Sequence, residues 1–219
     1  MPGYQNIFMS VILVACGYLI GSIPMGYLVI KVFKGQDITK IGSGRTGGTN
    51  AMRAGGVWSG LLTAVLDFIK GFAAIWLART LMPESIWVQV LAGVAAVVGH
   101  NWSIWLFLIT KRLNAGAGTG PNVGAAMAFW PPVALIVIPI ILFFIFIVGY
   151  ASLASIVAAV AIVVVLFLGA AYAGTPWEYV IYGVMTTVVV VWALRPNIKR
   201  LFQGTERRVG LFAKKANQS

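Results

Sequence analysis

One segment of the chain reads Gly42-Ser43-Gly44-Arg45-Thr46-Gly47-Gly48-Thr49-Asn50-Ala51-Met52-Arg53. Its glycines let the backbone approach a ligand and expose amide N–H groups. The hydroxyls of Ser43, Thr46 and Thr49, the amide of Asn50 and the guanidinium groups of Arg45 and Arg53 supply hydrogen bonds suited to phosphate. No Lys-Ser/Thr pair follows the glycines, which excludes a nucleotide-binding P-loop. By composition alone, a cation-rich loop touching lipid headgroups fits the same residues equally well. A second run, Asn114-Ala115-Gly116-Ala117-Gly118-Thr119-Gly120-Pro121-Asn122-Val123-Gly124, follows Lys111 and Arg112. It reads either as another anion-binding turn or as small-residue helix packing. Ser152 and Ser155 stand at the mouth of a further helix, where the dipole attracts anions and where serine is also an ordinary N-cap.

Three ionisable residues fall inside apolar stretches. Asp67 and Lys70 are three apart, hence on one helical face, and ionisable groups at membrane depth are costly unless paired or functional. A structural ion pair is the favoured reading, with a substrate-pathway role for Lys70 as the alternative. His100, the single histidine, could act as an acid or base near neutral pH or could hold a helix end by hydrogen bonding. Without neighbouring carboxylates in sequence it is a poor metal ligand, and no metal site is expected.

The elements that position these residues follow from composition. Of 219 residues, 60% are hydrophobic and 10% charged, and the mean hydropathy is +0.92. That describes an all-α, polytopic integral membrane protein folded as a single membrane domain over 1–219. Apolar runs lie at about 7–33, 57–82, 86–109 and 178–194, with a long region from about 123 to 173 to divide. The +11 net charge points to anionic lipid or substrates rather than nucleic acid. It gathers in three clusters: Lys31, Lys34, Lys40, Arg45 and Arg53; Lys111 and Arg112; and Lys199, Arg200, Arg207, Arg208, Lys214 and Lys215. The positive-inside rule places all three in the cytoplasm, which six spans cannot do. Trp130-Pro131-Pro132 supplies the extra break. The expectation is therefore seven transmembrane helices with the amino terminus outside, including a short broken element near 119–130 that is tilted, re-entrant or sheltered by its neighbours. Five spans would also satisfy the charges. Leu13-Val14-Ala15-Cys16 looks like a lipoprotein processing site, but no basic residue precedes Cys16 and the apolar run continues, so an uncleaved span fits better. The single cysteine excludes an intramolecular disulfide.

Taken in order, these residues resemble the bacterial membrane glycerol-3-phosphate acyltransferases that use acyl phosphate. The likeness rests on Gly21-Ser22-Ile23-Pro24, Gly42-Ser43-Gly44 with Gly47, Thr49, Asn50 and Arg53, Asp67-Phe68-Ile69-Lys70-Gly71, Gly99-His100, Ser152-Leu153-Ala154-Ser155, and Asn197 with Arg200-Leu201, Gly204 and Glu206. The resemblance implies a seven-helix fold in the bacterial inner membrane and transfer of a fatty acyl group from acyl phosphate to the 1-hydroxyl of glycerol 3-phosphate. The products would be lysophosphatidate and phosphate, made without metal or cofactor. Ser43, Arg53 and Asn197 would carry the reaction, with Gly42, Gly44, Arg45, Thr49, Asn50, Ser152 and Ser155 holding phosphate. Lys70, His100, Lys111 and Arg112 would support the site, which would face the cytoplasm.

Two departures from the family pattern matter. Ala117 stands where the family has a lysine between glycines, and Leu194 where it has a histidine shortly before the asparagine. Arg45 stands at a position commonly asparagine, and its guanidinium could return the lost charge without the lysine's geometry. Rival readings keep the fold but act on another phosphorylated acceptor, bind lipid phosphate without turnover, or form a small transporter. The oligomeric state is left open.

Overall fold

The computed structural model describes residues 2–209, with side chains from residue 6 onward, so Lys214 and Lys215 of the basic tail lie outside the described residues. Among the described residues the chain is helical without strands. The helices are α1 (Pro2–Ser22), α2 (Met25–Lys34), α3 (Gly48–Gly55), α4 (Val57–Leu81), α5 (Ile86–Asn101), α6 (Ile104–Thr110), α7 (Thr119–Phe129), α8 (Pro132–Phe143), α9 (Ala151–Tyr172), α10 (Glu178–Ala193) and α11 (Arg195–Phe202). Large apolar side chains face outward, among them Phe8 at 69%, Leu135 at 78% and Val188 at 63% exposure. An apolar exterior of that extent is matched to lipid tails.

The segments Asn6–Lys34, Val57–Leu81 and Ala151–Tyr172 are long and apolar enough to cross a bilayer. Glu178–Ala193 passes only together with Arg195–Phe202, from which it is bent by 64°. Ile86–Asn101 and Pro132–Val148 are shorter apolar helices. Two expected spans are broken where the sequence reading ran them through. The 7–33 run stops at Ser22 because Pro24 has no N–H to donate, and the 86–109 run stops at Asn101 and restarts after Ser103.

These breaks are stitched to one another. Ser103 accepts from the Leu106 N–H at 3.0 Å, capping α6, while its own hydroxyl donates to the Ser22 carbonyl. The Ile23 carbonyl, freed by the break, accepts from Lys70 Nζ at 2.9 Å. Small residues make such close approach possible. A methyl on Gly17 or Gly21 of α1 would collide with the α5 backbone at Ala92 or Ala96, and one on Gly124 of α7 with the Phe68 carbonyl of α4.

α7 is the short element expected near 119–130, and it is sheltered: eight of its residues, from Pro121 to Phe129, are buried. Its 11 residues rise about 16 Å, well short of a bilayer core of about 30 Å. The carbonyl it leaves free at Ala128 accepts from Arg79 Nη1 at 2.7 Å, a cation at a helix C-terminus. Around α7, Phe129 packs its ring on Tyr179 and Tyr182 at 4.4 and 4.9 Å, and the Tyr182 hydroxyl donates to Asn122 Oδ1 at 2.8 Å.

Candidate functional site

The polar segments around 34–56, 110–118, 149–155 and 195–209 converge on one end of the bundle. Thr46 donates to the Ala115 carbonyl from its N–H at 2.6 Å and its hydroxyl at 3.2 Å, so the two glycine-rich runs lie side by side. Arg112 Nη1 donates to the Thr39 carbonyl at 2.7 Å. Arg45 Nη2 donates to the Ala193 carbonyl at 2.8 Å, where α10 ends, and the Val209 N–H donates to the Gly149 carbonyl at 2.9 Å.

Asn50 shapes the first loop. It is 2% exposed, its Oδ1 accepts from the Ser43 N–H at 3.0 Å, and its Nδ2 donates to the carbonyls of Ile41 at 2.9 Å and Arg45 at 2.8 Å. The backbone wraps closely enough that Gly42, with φ 54°, has no room for a side chain beside Asn50 Oδ1. Gly44, with φ 71°, turns the chain next to Arg112. The loop so shaped leaves Ser43 exposed, Thr49 half-buried and Arg53 exposed at the rim. Ahead of the loop, the hydroxyl and N–H of Thr39 donate to Asp37 and, with Lys40 and Arg112 nearby, hold its carboxyl below the usual range.

Opposite the loop stands Glu206, which the sequence reading noted only within the family pattern. Its side chain is 6% exposed. Oε1 accepts from Asn197 Nδ2 at 2.8 Å and from the Ser152 hydroxyl at 3.2 Å, and Oε2 accepts from Arg200 Nε at 2.8 Å. Asn197 Oδ1 is buried without a hydrogen-bond partner. Arg45 and Arg53 both lie within electrostatic reach of Glu206. Burial pushes the Arg45 guanidinium pKa down and Arg200 adds to it, while Arg53 is lowered by desolvation and by Arg207. Guanidinium groups keep their protons regardless. Arg200 pairs with Glu206, and Arg45 and Arg53 lie within reach of the same carboxylate with Arg207 near Arg53, so guanidinium groups outnumber the carboxylate and leave an excess of positive charge for an anion to neutralise.

Other expected residues are placed differently. The Ser155 hydroxyl accepts from Thr119 Oγ1 at 2.7 Å and donates to the Ala151 carbonyl at 2.8 Å, joining α9 to the start of α7. Lys111 turns away over the Phe107 ring, 5.7 Å from its centroid, with φ 61° at the end of α6. Lys70 is ion-paired with Asp67 at 2.9 Å, both essentially buried, and His100 Nδ1 lies 3.5 Å from the same carboxylate oxygen. A methyl on Gly116 would collide with His100 Nε2, so the trio lies directly beneath the second glycine-rich run. Ala117 and Leu194, the two departures from the family pattern, pack into one apolar cluster with Val97, Ala159 and Val190. What the sequence reading missed was the Glu206 hub and the Asp67–His100 contact. No local pattern singled out Glu206 as a hub, because its donors come from positions up to 54 residues away.

Fold and site together define a helical membrane protein with a cationic, hydroxyl-lined cradle at one end of its bundle. Residues 11–204 match the glycerol-3-phosphate acyltransferase family, and the chain belongs to it. Glycerol-3-phosphate acyltransferases of Rubrobacter xylanophilus and Gloeobacter violaceus are each 37% identical over 202 residues, covering 92% and 90% of this chain and 96% and 93% of theirs. The crystal structure of PlsY, an integral membrane glycerol 3-phosphate acyltransferase in its glycerol 3-phosphate form, superposes with a TM-score of 0.80 at 33% identity, covering 92% of this chain and 96% of that one. Its lysophosphatidic acid form gives 0.79 at 32% identity.

Proposed function

We propose that this enzyme transfers a fatty acyl group from acyl phosphate to the 1-hydroxyl of glycerol 3-phosphate, releasing lysophosphatidate and inorganic phosphate for phospholipid synthesis. The observation that carries the reading is the excess of positive charge around Glu206, set among Ser43, Ser152 and Asn197. Arg53 and Arg45 act as the main phosphate cations, with Ser43 and Thr49 as hydroxyl donors on the loop that Gly42, Gly44 and Asn50 shape. Ser152, held on Glu206, borders the cradle, and Ser155 fixes α9 against α7. The buried acceptor Asn197 Oδ1 orients a substrate hydroxyl, its amide held in one sense by Glu206. Arg112 secures the loop from outside, while Lys70 and His100 act from beneath. Because acyl phosphate is an activated mixed anhydride, stabilising the leaving phosphate contributes more than a strong protein base would, and a phosphate oxygen of the substrates takes the hydroxyl proton.

The chain forms one membrane domain over 1–219 that crosses a bacterial inner membrane seven times, with the amino terminus outside and the site at the cytoplasmic leaflet. The gathering of basic residues at the end where the loops meet supports that orientation. The apolar contact of Ala117 with the cluster around Leu194 favours a second reading, an altered phosphorylated acceptor, because a lysine and a histidine of the family pattern are both missing there.

The test is purified protein in lipid with acyl phosphate and a panel of polyol phosphates. Lysophosphatidate from glycerol 3-phosphate is expected; product only with another acceptor would establish the second reading, and none with any would remove both. Ser43→Ala and Arg53→Ala should each raise the barrier by about 1.5–3 kcal/mol, the worth of one charge-assisted hydrogen bond, with folding intact by thermal unfolding. Wild-type turnover in either variant removes that residue from the site.

A further inference from the structure

Two apolar grooves run along the outside of α1 and share Leu19. One, of about 640 Å³, lies between α1 and α5 and is walled by Val11, Val14, Tyr18, Leu91 and Val98. The other, of about 390 Å³, lies where α1 breaks into α2 and is walled by Ile20, Ile23, Leu28, Trp105 and Ile109. The polar atoms of these side chains are committed elsewhere. The Tyr18 hydroxyl donates to the Trp102 carbonyl at 2.9 Å, and Trp105 Nε1 donates to the Leu19 carbonyl at 3.0 Å. What remains offers a guest only aliphatic and ring carbon, which suits hydrocarbon. From Val11 to Ser22 α1 rises about 16 Å, close to half of a bilayer core of about 30 Å. That is the depth spanned by the acyl chains of one leaflet.

At the cradle end of the bundle the groove opens among cations. Lys31 follows Leu28 by three positions and continues the same face of α2, with Lys34 one turn further. Lys111 follows Ile109 at the end of α6 and lies over Phe107, turned away from the cradle. Arg112 turns the opposite way and donates to the Thr39 carbonyl at 2.7 Å. That bond ties the end of α6 to the segment following α2, so lysines from both walls meet at one end of the groove. Lys31, Lys34 and Lys111 are exposed, and none pairs with a carboxylate among the described residues. The acid that follows α2, Asp37, is held by Thr39. A hydrocarbon slot one leaflet deep beneath lysines without carboxylate partners matches an acyl chain joined to an anionic phosphate. A headgroup carrying its own cation would leave those lysines little net charge to attract, so a net-negative headgroup fits better.

We propose that this groove on α1, α2, α5 and α6 binds an anionic phospholipid of the surrounding bilayer, one acyl chain lying along α1 and the phosphate among Lys31, Lys34 and Lys111. None of these residues belongs to the cradle, so the assignment stands or falls separately from the acyl-transfer reading.

The experiment titrates the purified full-length protein in detergent with phosphatidylglycerol or phosphatidylcholine and follows bound lipid by native mass spectrometry. Lys31→Gln and Lys111→Gln each remove a cation at the opening. Ile109→Trp and Leu28→Trp each fill the groove from an exposed position. Lys199→Gln on α11 is the control for charge alone, and every variant is checked by thermal unfolding before titration. Wild type is expected to bind phosphatidylglycerol about tenfold or more tightly than phosphatidylcholine. Each opening variant should weaken phosphatidylglycerol binding about fivefold, the worth of one basic residue at an anionic surface. The groove-filling variants should weaken both lipids, and Lys199→Gln neither. Equal affinity for the two lipids overturns the proposal, as does a loss in Lys199→Gln as large as in the opening variants, which would mean diffuse surface attraction. Wild-type binding in both folded groove-filling variants also overturns it. Displacement of phosphatidylglycerol by acyl phosphate in the same titration would give the groove to the acyl donor and overturn it as well.

Discussion

The charge balance of the cradle depends on Glu206. A carboxylate with a 6% exposed side chain is stable only because Ser152, Asn197 and Arg200 all donate to it, and it in turn fixes Asn197 so that Oδ1 is offered as an acceptor. Glu206→Gln keeps the shape but loses the ion pair and one acceptor. It should lower unfolding stability by about 1–3 kcal/mol, discounted toward the lower figure because Arg200 is 39% exposed. Turnover should fall further than stability, because Asn197 is no longer held in one sense. A variant with wild-type melting and wild-type turnover would show that the hub is dispensable. The individual ligands were legible in sequence as residue types, whereas their shared partner was not, because Ser152 and Glu206 lie 54 positions apart.

At the scale of elements, the broken helices determine where polar groups can sit. A span that stops at Ser22 or Asn101 exposes carbonyls inside the bundle, and these are met from other elements: by Ser103 for Ser22, Lys70 for Ile23, the Ala115 N–H for Asn101 and the Tyr18 hydroxyl for Trp102. Lys70 therefore serves both a carboxylate on its own helix and the kink between α1 and α2. Lys70→Met should destabilise the fold by about 3–5 kcal/mol, since it leaves the Asp67 carboxylate without its main partner. Adding Asp67→Leu should recover most of that loss, measured by thermal unfolding in detergent. If Lys70→Met melts with wild type, the pair is not structural and a substrate-pathway role gains support. Sequence periodicity ran both spans through their breaks because the residues on either side are apolar. Only Pro24 marked one of them, and nothing local marked Trp102-Ser103.

For the whole molecule, the decisive fact is that four polar segments meet at one end of the bundle. The topology proposed above predicts their side of the membrane. With Cys16 replaced by alanine, a cysteine at Gln36 should react with an impermeant thiol reagent only from the cytoplasm, and one at Glu84 only from outside; the reverse pattern would invert the orientation. The sequence by itself determined an all-helical membrane protein, its family likeness, and the residue types of an anion cradle. It could do so because lipid imposes long apolar helices and phosphate demands glycines, hydroxyls and guanidinium groups, all of which are local properties of the chain. Tertiary structure alone decided that Asn50 folds the loop instead of reaching outward, that Arg45 reaches the end of α10, that Ala117 and Leu194 close one apolar patch, and that Asn101 is buried with its amide unpaired. Those outcomes depend on which distant backbone groups are left without partners once the helices pack, and no local pattern encodes that.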